Sequence, residues 1–334
     1  MPGRILASRE HFSVVEKRSF DQIVVTPSDA GVRLDVFLAR KIDTLSRARI
    51  QGLILAGHIQ LNGESCRSKQ TIRAGDRIDV SEPDPEKTVL QPEDIAVQVL
   101  YEDLHLVVVN KPAGMTVHPG AGVQSGTLVN ALLHSISSLS GIGGQLRPGI
   151  VHRLDKETSG CLVVAKDNVS HMRLSAQFSG RKVQKFYLAL CVPGFAKPAG
   201  EIVNRIGRHP VHRKKMAVLD RGRPAHTRYA VIGESNQLAL VLCQIFTGRT
   251  HQIRVHLQSI GHPVLGDKLY GKKPNTYGRQ MLHAWRLGFF HPMTKNWLEF
   301  EAGLPDNFAQ SGVEESWTVR ARAELAKRSG GEPC

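Results

Sequence analysis

Apolar residues recur every three or four positions in two consecutive segments near the start of the chain. The segments GVRLDVFLARKI (31–42) and SRARIQGLILAG (46–57) each place their large apolar residues on one helical face. Short extended pieces, HIQLNG (58–63) and DRIDV (76–80), follow with turn residues between them. The pattern predicts a small α/β module. Residues 1–21 show no stable period and are predicted to form a flexible arm.

The chain from residue 92 onwards is rich in short apolar runs of strand length, separated by Gly, Pro and Asn. The strand-like runs include HLVVVN (105–110), CLVVAK (161–166), FYLALCV (186–192) and LALVLCQIF (238–246). Helical periods intervene at TLVNALLHSI (127–136) and HMRLSAQFS (171–179). Strands mixed irregularly with helices predict an α+β fold, with a mixed, largely antiparallel sheet and flanking helices.

A stretch rich in proline and acidic residues, SEPDPEKTVLQPED (81–94), separates the two patterns and indicates a linker. After about residue 305 the strand pattern fades, and the remaining residues suggest a last helix and a frayed end. The predicted organisation is a flexible arm at 1–21, a small module at 22–81, a linker at 82–91, a main domain at 92–305 and a C-terminal tail at 306–334.

The positive net charge of the chain indicates what kind of molecule it binds. With 44 Lys and Arg against 30 Asp and Glu, the formal net charge is +14, which favours a polyanion such as nucleic acid. A basic protein kept soluble by its charge is the alternative. No apolar stretch approaches the ~20 residues of a membrane span, and no signal-peptide core precedes the module. We therefore expect a cytoplasmic protein with no membrane partner.

Several kinds of chemistry lack their sequence signatures. The five cysteines are scattered without a Cys-x-x-Cys pair, which indicates reduced thiols and argues against a zinc ribbon. No Gly-x-x-x-x-Gly-Lys-Ser/Thr loop and no Gly-x-Ser-x-Gly elbow occurs. His251 and His256 are five residues apart without a supporting glutamate pattern, so no metal is expected.

Four segments carry a resemblance to a known family. The segments are NKPAGMTVHPG (110–120), RPGIVHRLDKETSGCLVVAKD (147–167), KFYLAL (185–190) and TGRTHQIRVHLQSIGHPVLGD (247–267). Together they resemble the pseudouridine synthases that modify ribosomal RNA, over about residues 92–305. The early stretch from about 32 to 80 resembles the small RNA-binding module named after ribosomal protein S4. The closest type is the large-subunit enzymes that carry this module.

The resemblance implies a reaction that needs no cofactor and no metal. Uridine becomes pseudouridine when the N1–C1′ bond breaks and uracil rejoins the ribose through C5, with no redox change and no group lost. One carboxylate suffices to attack the sugar or to assist loss of its proton through a glycal. The family's aspartate falls on Asp155, and Arg254 matches the arginine that pairs with it. Arg249 in the same block remains an alternative for that pairing role.

The resemblance also assigns the surroundings of the carboxylate. Tyr187 matches a tyrosine that stacks on uracil and whose phenol can reach the C5 proton. Lys111 and Pro112 match a pair that supports this tyrosine and the pocket floor. Arg153 is implied to enter the space vacated when the uridine flips out of the RNA, and His152 to contact a phosphate.

Basic residues outside these motifs are predicted to contact the RNA backbone, which supplies most of the affinity of such proteins. They are Arg47 and Arg49 in the module, and Arg205, Arg208, Arg213, Lys214, Lys215 and Arg249 in the main domain.

The predicted partner is 23S ribosomal RNA or a large-subunit precursor particle, bound by a monomer. Three alternatives stay open. A synthase acting on transfer RNA would carry the same catalytic block. A non-catalytic ribosome-binding protein would need none of Asp155, Tyr187 and Arg254. A glycoside hydrolase would require a second catalytic carboxylate, and the resemblance assigns none near the motif.

Overall fold

The computed structural model describes residues 18–42, 47–82, 90–120, 122–136, 139, 148–271 and 277–329. The chain divides into two compact units, residues 1–88 and 89–334. The predicted linker at 82–91 contains this boundary.

Four strands and two α-helices lie in the part of the first unit that the structure describes. They are β1 (Arg18–Val24), α1 (Leu34–Lys41), α2 (Arg47–Leu55), β2 (Ile59–Leu61), β3 (Glu64–Ser65) and β4 (Arg77–Glu82). The strands form one antiparallel sheet in the order β1-β4-β2-β3. Both predicted helices are confirmed. Strand β1 begins at Arg18, inside the segment predicted as a flexible arm, because pairing with β4 orders residues that show no period of their own.

The apolar faces of the two helices close this unit. Leu34, Phe37 and Leu38 of α1 and Ile50 and Leu53 of α2 are all buried in one cluster with the sheet. Burial of such side chains contributes about 1.5–3 kcal/mol each. The first unit therefore has a core of its own.

The second unit contains ten strands and five α-helices within the described residues. The strands are β5 (Gln98–Glu102), β6 (Leu106–Lys111), β7 (Ser159–Ala165), β8 (Gln184–Cys191), β9 (Ala199–Arg208), β10 (Met216–Val218), β11 (Arg223–Glu234), β12 (Ala239–Ile245), β13 (Leu282–Phe290) and β14 (Trp297–Glu301). The helices are α3 (Leu128–Ser135), α4 (Asn168–Ser179), α5 (Gln252–Ser259), α6 (Asp306–Ala309) and α7 (Glu315–Ser329).

The ten strands form a single mixed sheet. Its order is β10-β9-β11-β12-β8-β13-β7-β6-β5, and β14 pairs with β13. Neighbours are antiparallel except β13 and β7, which are parallel. The predicted α+β class with a largely antiparallel sheet is confirmed. Strands β7, β8 and β12 are buried on both faces, which explains their unbroken apolar runs.

The predicted C-terminal tail at 306–334 is wrong in one respect. Helix α7 buries Trp317, Ala321 and Leu325 in the main core of the second unit. A Cβ atom at Gly233 of β11 would overlap the Trp317 indole, so the helix packs directly on the sheet. Only three apolar positions, four residues apart, make this contact. The stripe is therefore too narrow for the pattern alone to reveal.

No helix among the described residues is long and apolar enough to span a membrane.

Candidate active site

Asp155 lies in the loop that leads into β7. Hydrogen bonds from neighbouring segments hold the backbone of this loop in place. The Lys156 carbonyl accepts hydrogen bonds from Gly114 N at 2.9 Å and from Lys111 Nζ at 3.2 Å. The Glu157 carbonyl accepts one from Arg279 Nη1 at 3.1 Å. Buried carbonyls with charged donors form strong bonds, so the carboxylate stands on a rigid base.

Gly160, at the end of this loop, is required by close packing. Its φ of +118° is rarely adopted by other residues. A Cβ atom there would overlap the carbonyl of Ala284 on β13, the strand that runs parallel to β7 at this point. The Ser-Gly pair of the motif thus marks the place where two strands approach each other below Asp155.

Lys111 is fully buried behind the loop. Its ammonium donates to the carbonyls of Pro112 at 2.6 Å, Met115 at 2.8 Å and Lys156 at 3.2 Å. Burial lowers the pKa of Lys111 to about 7, although the carboxylates of Glu157 and Asp155 oppose the shift. These three hydrogen bonds occupy all the protons of the charged form of Lys111, and all three acceptors are backbone carbonyls.

The predicted support of Tyr187 by Lys111 and Pro112 needs correction. Both residues line a separate cavity of about 430 Å³ on the other side of the Asp155 loop, together with Ser159 and Arg279. The hydrogen bonds of Lys111 go to backbone carbonyls of its own turn and of the Asp155 loop. The pair supports the carboxylate-bearing loop because a buried ammonium binds the nearest free carbonyls.

Arg254 on α5 contacts Asp155 directly. Its Nη1 donates to Asp155 Oδ2 at 2.8 Å, while Nε and Nη2 donate to the two oxygens of Asp267 at 2.6 and 2.9 Å. The Arg254 side chain is 6% exposed and that of Asp155 is 21% exposed. Burial lowers the pKa of Arg254, but the Asp267 and Asp155 carboxylates more than offset it, so the net shift is upward. Asp155 thus has a permanent cation beside it.

The alternative pairing with Arg249 is not observed. Arg249 Nε donates to the carbonyl of Pro224 at 3.0 Å, and among the described carboxylates none forms an ion pair with it. Asp267 was the missed member of the arrangement. It is the last residue of the segment TGRTHQIRVHLQSIGHPVLGD (247–267), and its role depends on its contact with Arg254, 13 positions earlier.

His251 is a second missed neighbour of Asp155. It precedes α5 with a φ of +57°, a strained conformation for a residue with a side chain, and its Nε2 lies 4.0 Å from Asp155 Oδ2. Its Nδ1 lies 2.8 Å from the Tyr270 hydroxyl, which accepts a hydrogen bond from Met216 N at 2.7 Å. The hydroxyl is therefore free to donate its own proton to Nδ1. We assign the imidazole proton to Nε2, the side that faces Asp155.

Tyr187 on β8 is buried, and its ring forms part of the same cavity as Asp155. Burial, together with the nearby Asp155 carboxylate and the Cys161 thiol, raises the pKa of Tyr187 well above its usual range. The phenol therefore keeps its proton at neutral pH. A protonated phenol is a poor general base, which argues against the predicted removal of the C5 proton by this residue.

The cavity around Asp155 has a volume of about 550 Å³, a size typical of a small-ligand site. It brings together six of the predicted residues: Asp155, Tyr187, Arg254, His152, Arg153 and Arg249. Three basic residues of its lining were not predicted: Arg181, Lys185 and Arg223. They come from the ends of different elements, so no local motif joins them.

His152 lies in the cavity wall as a neutral ring. Its Nε2 accepts a hydrogen bond from Val163 N at 3.0 Å, and the imidazole stacks on Phe178 with centroids 4.4 Å apart. Burial, and then the charge of Lys185, lower the pKa of His152 to about 3. The predicted phosphate contact would therefore rest on a single Nδ1–H group and no positive charge.

The predicted basic patch of the second unit is one hairpin. Strands β9 and β10 pair, and the turn between them carries most of its charges. The residues concerned are Arg205, Arg208, Arg213, Lys214 and Lys215. Arg208 Nη1 donates to the carbonyl of Arg213 at 2.6 Å, which ties the turn to the strand. Because Met216 N bonds to Tyr270, the hairpin is also connected to His251 and hence to the neighbourhood of Asp155.

Arg47 in the first unit is partly committed to its own fold. Its Nε and Nη2 donate to Asp35 Oδ2 at 3.1 and 2.9 Å, and Arg33 binds the same carboxylate. The Arg47 side chain remains 50% exposed, so its outer edge is available to a ligand. Arg49 lies on α2, but its side chain is outside the described residues.

Among the described residues, no group of three or more His, Cys, Asp or Glu side chains is placed to hold a metal ion.

A basic cavity around a carboxylate–guanidinium pair fits an enzyme that acts on an anionic substrate such as RNA. The model of the RNA pseudouridylate synthase family matches residues 105–259, and that of the S4 domain matches residues 32–78. The chain belongs to the RNA pseudouridine synthase family, whose members isomerise uridine in RNA.

Sequence similarity to members of this family extends over most of the chain. An uncharacterized RNA pseudouridine synthase of Aquifex aeolicus is 46% identical over 288 residues, which cover 83% of this chain and 91% of the relative. A ribosomal large subunit pseudouridine synthase D of Zymomonas mobilis is 42% identical over 302 residues, covering 86% and 95%. The solved structure of human RNA pseudouridylate synthase domain containing 1 is 27% identical, with a TM-score of 0.53, covering 64% of this chain and 85% of that one.

Proposed function

We propose that this enzyme converts uridines of 23S ribosomal RNA to pseudouridine with Asp155 as the catalytic carboxylate. The observation that carries the chemistry is the bond from Arg254 Nη1 to Asp155 Oδ2 in a cavity that also contains Tyr187. Support for the substrate comes from relatives named ribosomal large subunit pseudouridine synthase D, in Zymomonas mobilis and Nitrosomonas europaea.

The two oxygens of the Asp155 carboxylate have different roles: one binds Arg254 and the other faces the substrate. Oδ2 accepts from Arg254, so Oδ1 is left to face the ribose of the bound nucleotide. It either attacks C1′ or removes the C2′ proton towards a glycal, while the N1–C1′ bond breaks and its electrons remain on uracil. The base rotates in the cavity and its C5 bonds to C1′, while the Asp155–C1′ ester bond breaks or, on the glycal route, the carboxyl group returns the proton to C2′. Arg254 stabilises the carboxylate throughout, because Asp267 prevents the guanidinium from moving.

The last proton step also falls to Asp155. Once C5 has bonded to C1′, its proton must leave, and N1 must gain one. Tyr187 remains a phenol, and we assign the proton of the His251 imidazole to Nε2, so neither offers a free base to the cavity. We therefore assign Tyr187 to stacking against uracil, and removal of the C5 proton to the released carboxylate of Asp155, which passes that proton on to N1 and is left ionised again.

Base flipping is assigned to Arg153. Its side chain is exposed at the cavity mouth, and no side chain in the described part of the chain is paired with it. A flipped uridine leaves a gap in the RNA stack that costs a few kcal/mol. A planar guanidinium two residues from Asp155 can fill this gap by stacking.

The test is Asp155→Asn, which keeps the shape of the side chain and removes its charge. We expect no tritium release from RNA labelled at uridine C5, with RNA affinity retained. Asp94→Asn is the matched control, since Asp94 is 92% exposed, and it should turn over normally. Normal tritium release by Asp155→Asn would disprove the proposed chemistry.

The RNA substrate is tested separately. Pseudouridines are mapped in the ribosomal and transfer RNA of a strain that lacks the gene. Loss of sites from 23S RNA alone supports the proposal. Loss from transfer RNA alone would instead favour the transfer-RNA alternative.

A further inference from the structure

Besides Arg153, four cations line the Asp155 cavity, and none of them belongs to the proposed catalytic pair. Lys185 lies on β8, Arg181 follows α4, Arg223 begins β11 and Arg249 precedes α5. Lys185 and Tyr187 are two residues apart on one strand, so their side chains project from the same face of the sheet. We call these four residues the mouth cluster.

The mouth cluster has no counter-charge within the described part of the chain. None of its members forms an ion pair there. Arg249 Nε bonds to a backbone carbonyl, and the Lys185 ammonium lies 5.9 Å from the centroid of the Phe178 ring. Other buried cations of this unit are fully engaged: Arg254 binds two carboxylates, and Lys111 binds three carbonyls. Lys185 is only 7% exposed and has neither kind of partner.

The members of the mouth cluster repel one another. Burial, then the charges of Arg181 and Arg249, lower the pKa of Lys185 to about 8. Burial, then Arg223 and Arg181, lower the pKa of Arg249. Holding uncompensated positive charges together destabilises the folded protein. Packing does not require a charge at position 185, since a methionine there would also cover the Phe178 ring.

The repulsion among these four cations destabilises the free protein, which indicates that a ligand neutralises them. The ligand must be anionic and rich in oxygen acceptors, and it must lie beside the nucleotide in the cavity. Residues 185 and 187 are separated by roughly 7 Å along the strand. A uridine stacked on Tyr187 therefore has its adjoining phosphate within reach of Lys185.

We propose that the mouth cluster is a binding subsite for the backbone phosphodiester next to the flipped uridine. This assignment rests on the proposed function, because it takes the nucleotide in the cavity to be part of an RNA strand. The phosphate neutralises the repulsion among Lys185, Arg181, Arg223 and Arg249, and it positions the ribose against Asp155.

RNA binding at the subsite is coupled to protonation of Lys185. The charged groups around Lys185 are Arg181 and Arg249, and its other titratable neighbour, His152, is neutral above pH 4. A bound phosphate raises the pKa of Lys185 above its free value of about 8. RNA binding near pH 8 therefore takes up a proton, and affinity decreases as the pH rises through this value.

The test combines protein variants with modified RNA. Lys185→Met and Arg181→Met are compared with Arg320→Met, which removes the same charge from an exposed position on α7. The probe is a short uridine-containing RNA stem–loop in which the phosphate on the 5′ or the 3′ side of the target uridine is replaced by an uncharged methylphosphonate. We expect each cluster variant to weaken binding by about ten-fold and to reduce the slope of log affinity against log salt by roughly 0.7–0.9.

The decisive result is the double-mutant comparison. One of the two methylphosphonates should weaken the wild-type protein and the Arg320→Met control equally, and should have a much smaller effect on Lys185→Met. The melting temperature of Lys185→Met should be unchanged or higher, because repulsion has been relieved. Equal sensitivity of all variants to both modifications, or a lower melting temperature with an unchanged salt slope, would overturn the subsite. These measurements need no turnover, so failure of the Asp155 chemistry is recognised independently.

Discussion

The Nε and Nη2 atoms of Arg254 donate to the two carboxylate oxygens of Asp267 at 2.6 and 2.9 Å. Asp267 is itself buried and also accepts from Leu269 N and Tyr270 N. The bidentate contact fixes the plane of the guanidinium, and a single edge remains to meet Asp155. The geometry of the proposed catalytic pair is therefore decided by a residue that does not line the cavity.

Asp267→Asn should impair catalysis more than substrate binding. The amide keeps the volume but loses the charge, so Arg254 is left buried with one carboxylate and is free to rotate. We expect kcat to fall about 100-fold and the free energy of unfolding to decrease by about 3 kcal/mol. Tritium release and urea denaturation measure the two effects. The exposed Asp306→Asn serves as control, and an Asp267→Asn enzyme with wild-type kcat would contradict the positioning role.

Tyr270→Phe should expose the role of the hydrogen bonds around His251. Without the hydroxyl, the proton on Nε2 is no longer enforced, and Met216 N loses its acceptor. We expect kcat to fall about ten-fold with KM nearly unchanged, and stability to decrease by about 1 kcal/mol. Tyr101→Phe is matched, since it removes a hydroxyl bonded to Asp103 outside the cavity. An equal loss of kcat in both variants would mean that the effect is not specific to His251.

Buried histidines should make the fold sensitive to mild acid. Burial lowers the pKa of His152 to about 3 and those of His256 and His283 to about 4. Below pH 6.5 the unfolded chain binds protons that the folded chain does not, so stability decreases as the pH falls from 6.5 towards 4. Each histidine contributes about 1.4 kcal/mol per pH unit in this range.

Urea denaturation between pH 4 and 7.5 measures this slope. His283→Gln should lower it by about one proton, while His171→Gln, at a half-buried position on α4, should change it much less. Stability that is flat from pH 7 to pH 5 would show that the three rings are not held neutral.

Gly160→Ala should damage the Asp155 loop. The added methyl group meets the backbone of Ala284, which belongs to a central strand and cannot yield, and the φ of +118° is strained for alanine. We expect a loss of 3 kcal/mol or more, with kcat reduced in whatever protein folds, where ~3 kcal/mol is the usual scale of core overpacking. Gly303→Ala has open space around it and a permitted φ, so it should be neutral. Thermal melts of the two variants make the comparison, and equal melting temperatures would refute it.

The sequence alone determined the parts of this protein that depend on local order. Helices α1, α2, α3 and α4 and the buried strands follow from residue spacing, because the side chains of each element repeat with its own period. Motif position selected Asp155, Tyr187 and Arg254 as candidates before any contact was known. The net charge indicated a nucleic acid partner because long-range electrostatics depend on composition more than on packing.

Only the tertiary structure decided how these residues act together. Asp155 and Arg254 are 99 positions apart, and their contact depends on how α5 packs against the loop before β7. The choice between Arg249 and Arg254, the burial of Lys111 behind the loop and the docking of α7 arise in the same way. So does the mouth cluster, whose members come from four different elements. Hydrogen bonds and charge repulsion act over a few ångströms in space, and distance along the chain does not reveal which groups will come that close.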